Sequence, residues 1–167
     1  NYLVFFPSYS YMQNVLEVFG ERELNKAGNG FELIVQESSM DEEKRQAFLD
    51  AFKGETKTTM LGFCVLGGIF SEGIDLTEEK LIGALIVGTG LPRVCTEREI
   101  LKQYFDERGL GGFDYAYLYP GMNKVLQAAG RLIRTHEDQG VILLLDERFL
   151  NATYRNMFPL EWDDYQV

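Results

Sequence analysis

Two cysteines, one histidine and four prolines are all that this 167-residue sequence has of those residue types, and each shortage closes off a class of protein. Cys64 and Cys95 stand far apart in unlike surroundings, which suits neither a zinc-binding spacing nor a disulfide framework. Both are expected to be small buried apolar positions. His136 lies beside Glu137 and Asp138 with no second histidine or nucleophile to complete a catalytic or metal site, so a surface loop residue is expected and no metal site is. Positive charge is scarce as well: 16 Lys and Arg face 26 Asp and Glu, a net charge of -10. Such a surface repels phosphate as a whole, so any contact with a nucleic acid has to be local, made by backbone amides, hydroxyls and a few placed cations. No apolar run reaches the ~20 residues a membrane-spanning helix requires. The opening segment lacks the basic region of a signal peptide and has no initiator Met, so a cytoplasmic domain cut from a longer polypeptide is expected, with no membrane partner.

What the sequence does contain is ample apolar material, 46% of residues with 25% charged, enough for one domain with a substantial core. Apolar runs at Tyr2–Phe6, Phe31–Gln36, Met60–Leu66, Leu81–Val87 and Val141–Leu145 read as strands. Between them, helical spacing starts at Ser8 and at Met40 and runs over Glu97–Arg108, where Gly109 stops it, and from Pro120 to about Arg134. Strands alternating with helices imply crossovers and a mainly parallel, doubly wound sheet covered on both faces: an α/β protein. In such sheets ligands sit at the carboxyl ends of strands, which directs attention to the loops after Phe6, Leu66 and Val87.

Two stretches could carry chemistry. On the helix from Pro120, Gln127, Arg131 and Arg134 recur at i, i+4 and i+7 and share a face. Val125, Ala129, Leu132 and Ile133 take the side that packs on the sheet, and Gly130 leaves room for another surface to approach. A solvated basic face and a pair of guanidiniums aimed at phosphate oxygens both fit this pattern. The second stretch, Gly67-Gly68-Ile69-Phe70-Ser71-Glu72-Gly73-Ile74-Asp75-Leu76, follows a buried strand. Its glycines, among them Gly73, permit positive φ and outward N–H groups, and Asp75 can accept from sugar hydroxyls. Lys57-Thr58 is not a phosphate-binding loop, because no Gly precedes the Lys and the strand follows instead of preceding it. The alternating tyrosines Tyr115, Tyr117 and Tyr119 could stack on bases, but packing is the expected role.

Several segments together resemble the DinG/XPD-like branch of superfamily 2 helicases. Gly68-x-Phe-Ser-Glu-Gly-Ile-Asp75 resembles their motif V and Gln127-Ala-Ala-Gly-Arg-Leu-Ile-Arg134 their motif VI. Phe5-Phe6-Pro7-Ser8-Tyr9 resembles motif IV, and Leu144–Phe149 and Phe158–Trp162 resemble the segments that end these proteins. The resemblance spans essentially the whole chain in order. It implies that residues 1–167 are the second RecA-like motor domain, with a P-loop NTPase fold but without its own Walker A. It further implies a share in an ATP-dependent 5'-to-3' DNA helicase that is inactive as this domain alone. ATP and Mg²⁺ would be held mainly by a first RecA-like domain, with Arg131 and the arginine finger Arg134 reaching across and Gln127 supporting them. Glu72, Gly73, Asp75 and Gly130 would couple nucleotide binding to these motifs, while Ser8, Tyr9 and Ser71 would lie toward single-stranded DNA. The iron-sulfur cluster of some family members belongs to the first motor domain and has no counterpart here. The alternatives are a nonenzymatic RecA-like regulatory or partner-binding module and a small-molecule binder of flavodoxin-like topology.

Overall fold

A computed structural model describes residues 1–20, 30–53, 58–71, 81–133, 139–162 and 164–167. Five strands, β1 (Tyr2–Phe6), β2 (Phe31–Val35), β3 (Thr59–Val65), β4 (Gly83–Val87) and β5 (Val141–Leu145), form one sheet in the order β2-β3-β1-β4-β5. Every pairing is parallel. The chain fills the β2/β3 side of β1 first and then crosses to β4 and β5, so β1 marks the point where the winding reverses. Five short apolar runs separated by helical segments leave little choice of architecture, since parallel neighbours require crossovers.

Side-chain alternation divides the strands between two cores. Leu3, Phe5, Cys64, Ala84 and Ile86 point to the larger one. Two helices supply its other wall: α2 (Glu42–Lys53) through Phe48 and Phe52, and α4 (Tyr119–Ala129) through Met122, Val125 and Ala128. The carboxyl-terminal segment closes that core with Phe149 and Tyr154, the latter on the short helix α5 (Ala152–Arg155). Gly62 faces the same way, and a Cβ there would stand 2.6 Å from Phe52 and 2.7 Å from Leu3, so the rings of α2 need a bare strand at that point. On the opposite face, Val4, Phe6, Phe63 and Val65 meet Met12, Val15 and Leu16 of α1 (Tyr9–Phe19).

The strand pattern predicts cover on both faces, and among the described residues that cover is uneven. On the α1 face, Leu33 and Val35 of β2 and Leu85 and Val87 of β4 pack at the margins of the cluster, whereas Val141, Leu143 and Leu145 of edge strand β5 are 44–55% exposed. An unbroken apolar run looks the same in sequence whether one face is covered or two. Cys64 is fully buried as expected, whereas Cys95 is exposed at the start of α3 (Thr96–Asp106). The helical path into α4 also starts earlier than Pro120, with a π-helical turn over Asp114–Leu118. That turn buries Tyr117, whose hydroxyl donates to Glu99 at 2.5 Å. Tyr115 stacks on Phe105, and both Tyr115 and Tyr119 stay about 40% exposed.

The first turn of α4 rests backbone to backbone on the loop after β4. A Cβ on Gly121 would lie 2.8 Å from Thr89 O, and one on Gly90, which has φ +65°, would lie 2.8 Å from Gly121 O. Overpacking of this kind costs about 1–3 kcal/mol. Gly121→Ala is therefore expected to lower the melting temperature of the chain by roughly 2–12 °C, at ~2–4 °C per kcal/mol for a domain of this size. An unchanged melting curve would show that helix and loop separate freely.

Candidate functional site

The carboxyl ends of β1, β2 and β3 lie side by side, and the polar groups there are tied into one arrangement. Ser8 caps α1, its Oγ accepting from Tyr11 N at 3.2 Å and lying 3.1 Å from Ser10 Oγ. This Ser after Pro7 ends the strand and starts the helix in three residues, because a β-conformation cap satisfies one of the free N–H groups of the first turn. Tyr9 then points back across the sheet edge. Its hydroxyl accepts from Gln36 Nε2 at 2.6 Å and donates to Glu37 O at 3.3 Å. Burial, and behind it nearby Cys64, raises the Tyr9 phenol above its ordinary value, so it remains a protonated donor at neutral pH.

The loop after β3 turns at Gly67, with φ +69°. Gly68 N donates to Val65 O at 3.1 Å, and Ser71 returns both its N–H and its Oγ to Gly68 O, at 3.0 and 2.9 Å. Ser71 is fully buried. Its hydroxyl shapes the loop and is not turned outward, which differs from the strand-facing placement that the resemblance implies. Its carbonyl accepts from Arg131 Nε at 3.0 Å, so the loop after β3 and the segment after α4 are joined directly.

That contact depends on a helix shorter than its spacing suggests. α4 ends at Ala129 with Gly130 as its cap, and the N–H groups of Arg131 and Leu132 bond three residues back, to Ala128 O and Ala129 O. Arg131 therefore does not share a continuous helical face with Gln127. Glycine weakens the helix at that point by ~1 kcal/mol relative to Ala, and the tighter turn sets Leu132 into the core against Gly140. Ile133, expected on the packed side, is 39% exposed. Gln127 and Gly130 are exposed. A Cβ on Gly130 would meet only Leu126 O and Gln127 O within 4 Å among the described residues, which leaves its outer side open. Arg134, Glu72, Gly73, Asp75, Lys57 and His136 lie outside the described residues.

Residues 1–165 match the family described as Helicase C-terminal domain. The chain belongs to this family. It is 33% identical to regulator of telomere elongation helicase 1 of Homo sapiens, over 94% of this chain and 14% of that protein. It is 34% identical to the ATP-dependent DNA helicase DinG of Photobacterium profundum, over 91% of this chain and 21% of that protein. A solved XPD helicase structure superposes with a TM-score of 0.68 at 25% identity, covering 93% of this chain and 26% of that one. The helicase C-terminal domain thus has a RecA-like fold of the DinG/XPD-like branch and spans about a seventh to a fifth of those two curated relatives. Among the described residues, no helix is long and apolar enough to cross a membrane, and no group of three or more His, Cys, Asp or Glu is placed to hold a metal.

Two residues of this edge do not emerge from motif spacing. Gln36 reads in sequence as the last residue of an apolar strand, yet it is 2% exposed and hydrogen-bonded at both ends of its amide. Lys124 lies three residues before Gln127, and its side chain passes within 2.9 Å of where a Gly67 Cβ would stand. Lys124 stands three residues before Gln127 and seven before Arg131, a spacing that also shares a helical face.

At the end of β5, Asp146 accepts from Arg148 Nε and Nη2 at 2.8 and 2.7 Å and from Arg148 N at 2.9 Å. The guanidinium holds the Asp146 carboxyl below its ordinary value. A depressed carboxylate stabilises the fold fully above the unfolded value of 3.8 and loses that contribution as pH falls through its own lower value. Asp146→Asn is expected to be less stable than wild type at pH 7 by up to about 1 kcal/mol, since Arg148 is partly solvated. The gap should narrow as pH falls below 3.8 in urea titrations, and a gap that does not change with pH would remove the ion pair as its cause.

Proposed function

We propose that this chain is the second motor domain of an ATP-dependent 5'-to-3' DNA helicase, acting against a first RecA-like domain that holds most of the ATP and Mg²⁺. The observation that carries this reading is the bond from Arg131 to Ser71 O. It joins the loop after β3 to the arginine-bearing segment after α4, so strand contact and phosphate contact belong to one mechanical unit. Arg131 supplies a planar, permanently charged group whose Nε is already anchored. Arg134, three residues on, acts as the arginine finger on the γ-phosphate, and Gln127 supports the phosphate network from the exposed face of α4. Gly130 lets the opposing domain approach, and Glu72, Gly73 and Asp75 couple the nucleotide to the loop after β3. Ser8 and Tyr9 face single-stranded DNA, while Ser71 keeps their neighbouring loop in shape.

Catalysis at such an interface is positioning and charge stabilisation, with the cleaved bond in the triphosphate itself. The chemistry therefore needs both domains: one holds the nucleotide and the other neutralises charge that develops as the γ-phosphoryl leaves. The acidic surface, net charge -10, suits a partner that binds DNA only within a composite groove, with few phosphate contacts of its own.

Two outcomes are expected. The 167-residue chain by itself is expected to hydrolyse ATP at background rate, because its sequence has no glycine-lysine phosphate-binding loop and, in this reading, the first RecA-like domain holds most of the ATP and Mg²⁺; DNA-stimulated turnover by this fragment would sink the reading. In the full-length protein, Arg134→Lys keeps the charge but loses the fork. Steady-state ATP hydrolysis with saturating single-stranded DNA should drop by orders of magnitude, toward the ~10³–10⁵ that a finger contributes. Melting should shift by less than about 0.5 kcal/mol, the range for surface substitutions. Near-wild-type turnover would remove Arg134 from this role.

A further inference from the structure

Among the described residues Gln36 is the one long polar side chain that is buried, at 2% exposure, and it sits where the carboxyl ends of β1, β2 and β3 converge. Its backbone N–H donates to Phe63 O at 2.8 Å. Its side-chain Oε1 accepts from Val65 N at 2.9 Å, and its Nε2 donates to Tyr9 Oη at 2.6 Å. Each amide atom has a partner of the matching kind, so the group cannot flip or leave either bond without stranding a buried donor or acceptor.

From Val65 the contacts continue without a gap. Val65 O accepts from Gly68 N, Gly68 O accepts from Ser71 N and Oγ, and Ser71 O accepts from Arg131 Nε. The path is close-packed at Gly68, where a Cβ would stand 3.0 Å from Val65 O and 3.2 Å from Gln36 Nε2. One hydrogen-bonded path therefore runs from the Tyr9 hydroxyl, at the start of α1, to the Arg131 guanidinium, beyond the end of α4. Gln36 supplies the side-chain link in it between α1 and β3.

We propose that Gln36 is a positioning residue that couples DNA occupancy at Tyr9 to the setting of Arg131. This rests on the motor-domain reading, in which Tyr9 faces the strand and Arg131 the nucleotide. When a strand engages Tyr9, the phenol shifts, and the amide that shares its hydrogen bond carries the shift to Val65 N and the Gly67–Ser71 turn. Gln36 touches neither DNA nor ATP. Its loss removes communication and leaves both sites standing.

The experiment uses the full-length protein with both motor domains and measures ATP turnover without DNA and with saturating single-stranded oligonucleotide. Gln36→Leu fills similar volume and makes neither side-chain bond. It should leave DNA-free turnover at the wild-type rate and reduce the stimulation by DNA roughly 2- to 30-fold, the span of coupling effects in such networks. Tyr9→Phe should reduce stimulation similarly, and the double variant should be no worse than the weaker single one, because both cut the same path. Losses that multiply in the double variant overturn the proposal, as does full stimulation in either single variant. If Gln36→Leu does not fold, Gln36→Met, which keeps the length of the side chain and makes neither amide bond, decides by the same criterion. A wild-type protein whose turnover DNA does not stimulate overturns the motor reading itself, whereas a stimulated wild type with a fully stimulated Gln36→Leu overturns this inference only.

Discussion

Strand β1 is hydrogen-bonded to β3 on one side and β4 on the other, and Leu3, Phe5 and Phe6 are buried at 2% exposure or less. Because every pairing is parallel, all five strands end at one edge of the sheet. The loops after them are gathered there whatever their own sequences are. Motifs lying more than a hundred residues apart become neighbours through this single constraint, and the rest of the candidate site depends on it.

Gathering strand ends creates a second demand, since backbone N–H and C=O groups that run out of ladder partners have to be satisfied elsewhere. At the end of β1 the solution is local, a serine cap that turns the chain into α1. At the end of β3 it is borrowed, with Val65 N bonded to the side chain of Gln36, just past β2, and Val65 O to the next turn. At the end of β5 it is an acid that caps a short helical turn and holds Arg148 in a fork. Borrowed solutions link elements. The one at Val65 gives the edge a continuous polar connection, and it also explains how a buried Gln is tolerated in a core otherwise built from Phe, Leu, Ile and Met.

The bare outer positions of β5 and the half-exposed rings beside α4 contrast with the fully filled core under α2 and α4. The energetic weight of the domain lies on the larger core, where aromatic rings need Gly62 to fit. The site sits over that well-packed part, at the β1/β2/β3 end, where its side chains are backed by buried residues.

Apolar period and punctuation made the five strands and four long helices legible, because burial on a pleated or helical surface imposes its repeat on local sequence. Ser8 as a cap, Gly109 with its positive φ of 70°, and the parallel α/β class were open to the same reasoning. Gln127 and Arg131 were visible as candidates, but not the break between them. That break came from Gly130 acting with the burial of Leu132 against Gly140, a contact between residues no local rule connects. Gln36 was invisible for the same reason: at the end of an apolar run it looks like punctuation. Only the arrangement β2-β3-β1, which sets the chain leaving β2 beside the end of β3 and the start of α1, gives its amide a donor on one side and a phenol on the other. Local sequence determines what each segment prefers to be, while partners distant along the chain exist only after the sheet has brought their backbones together.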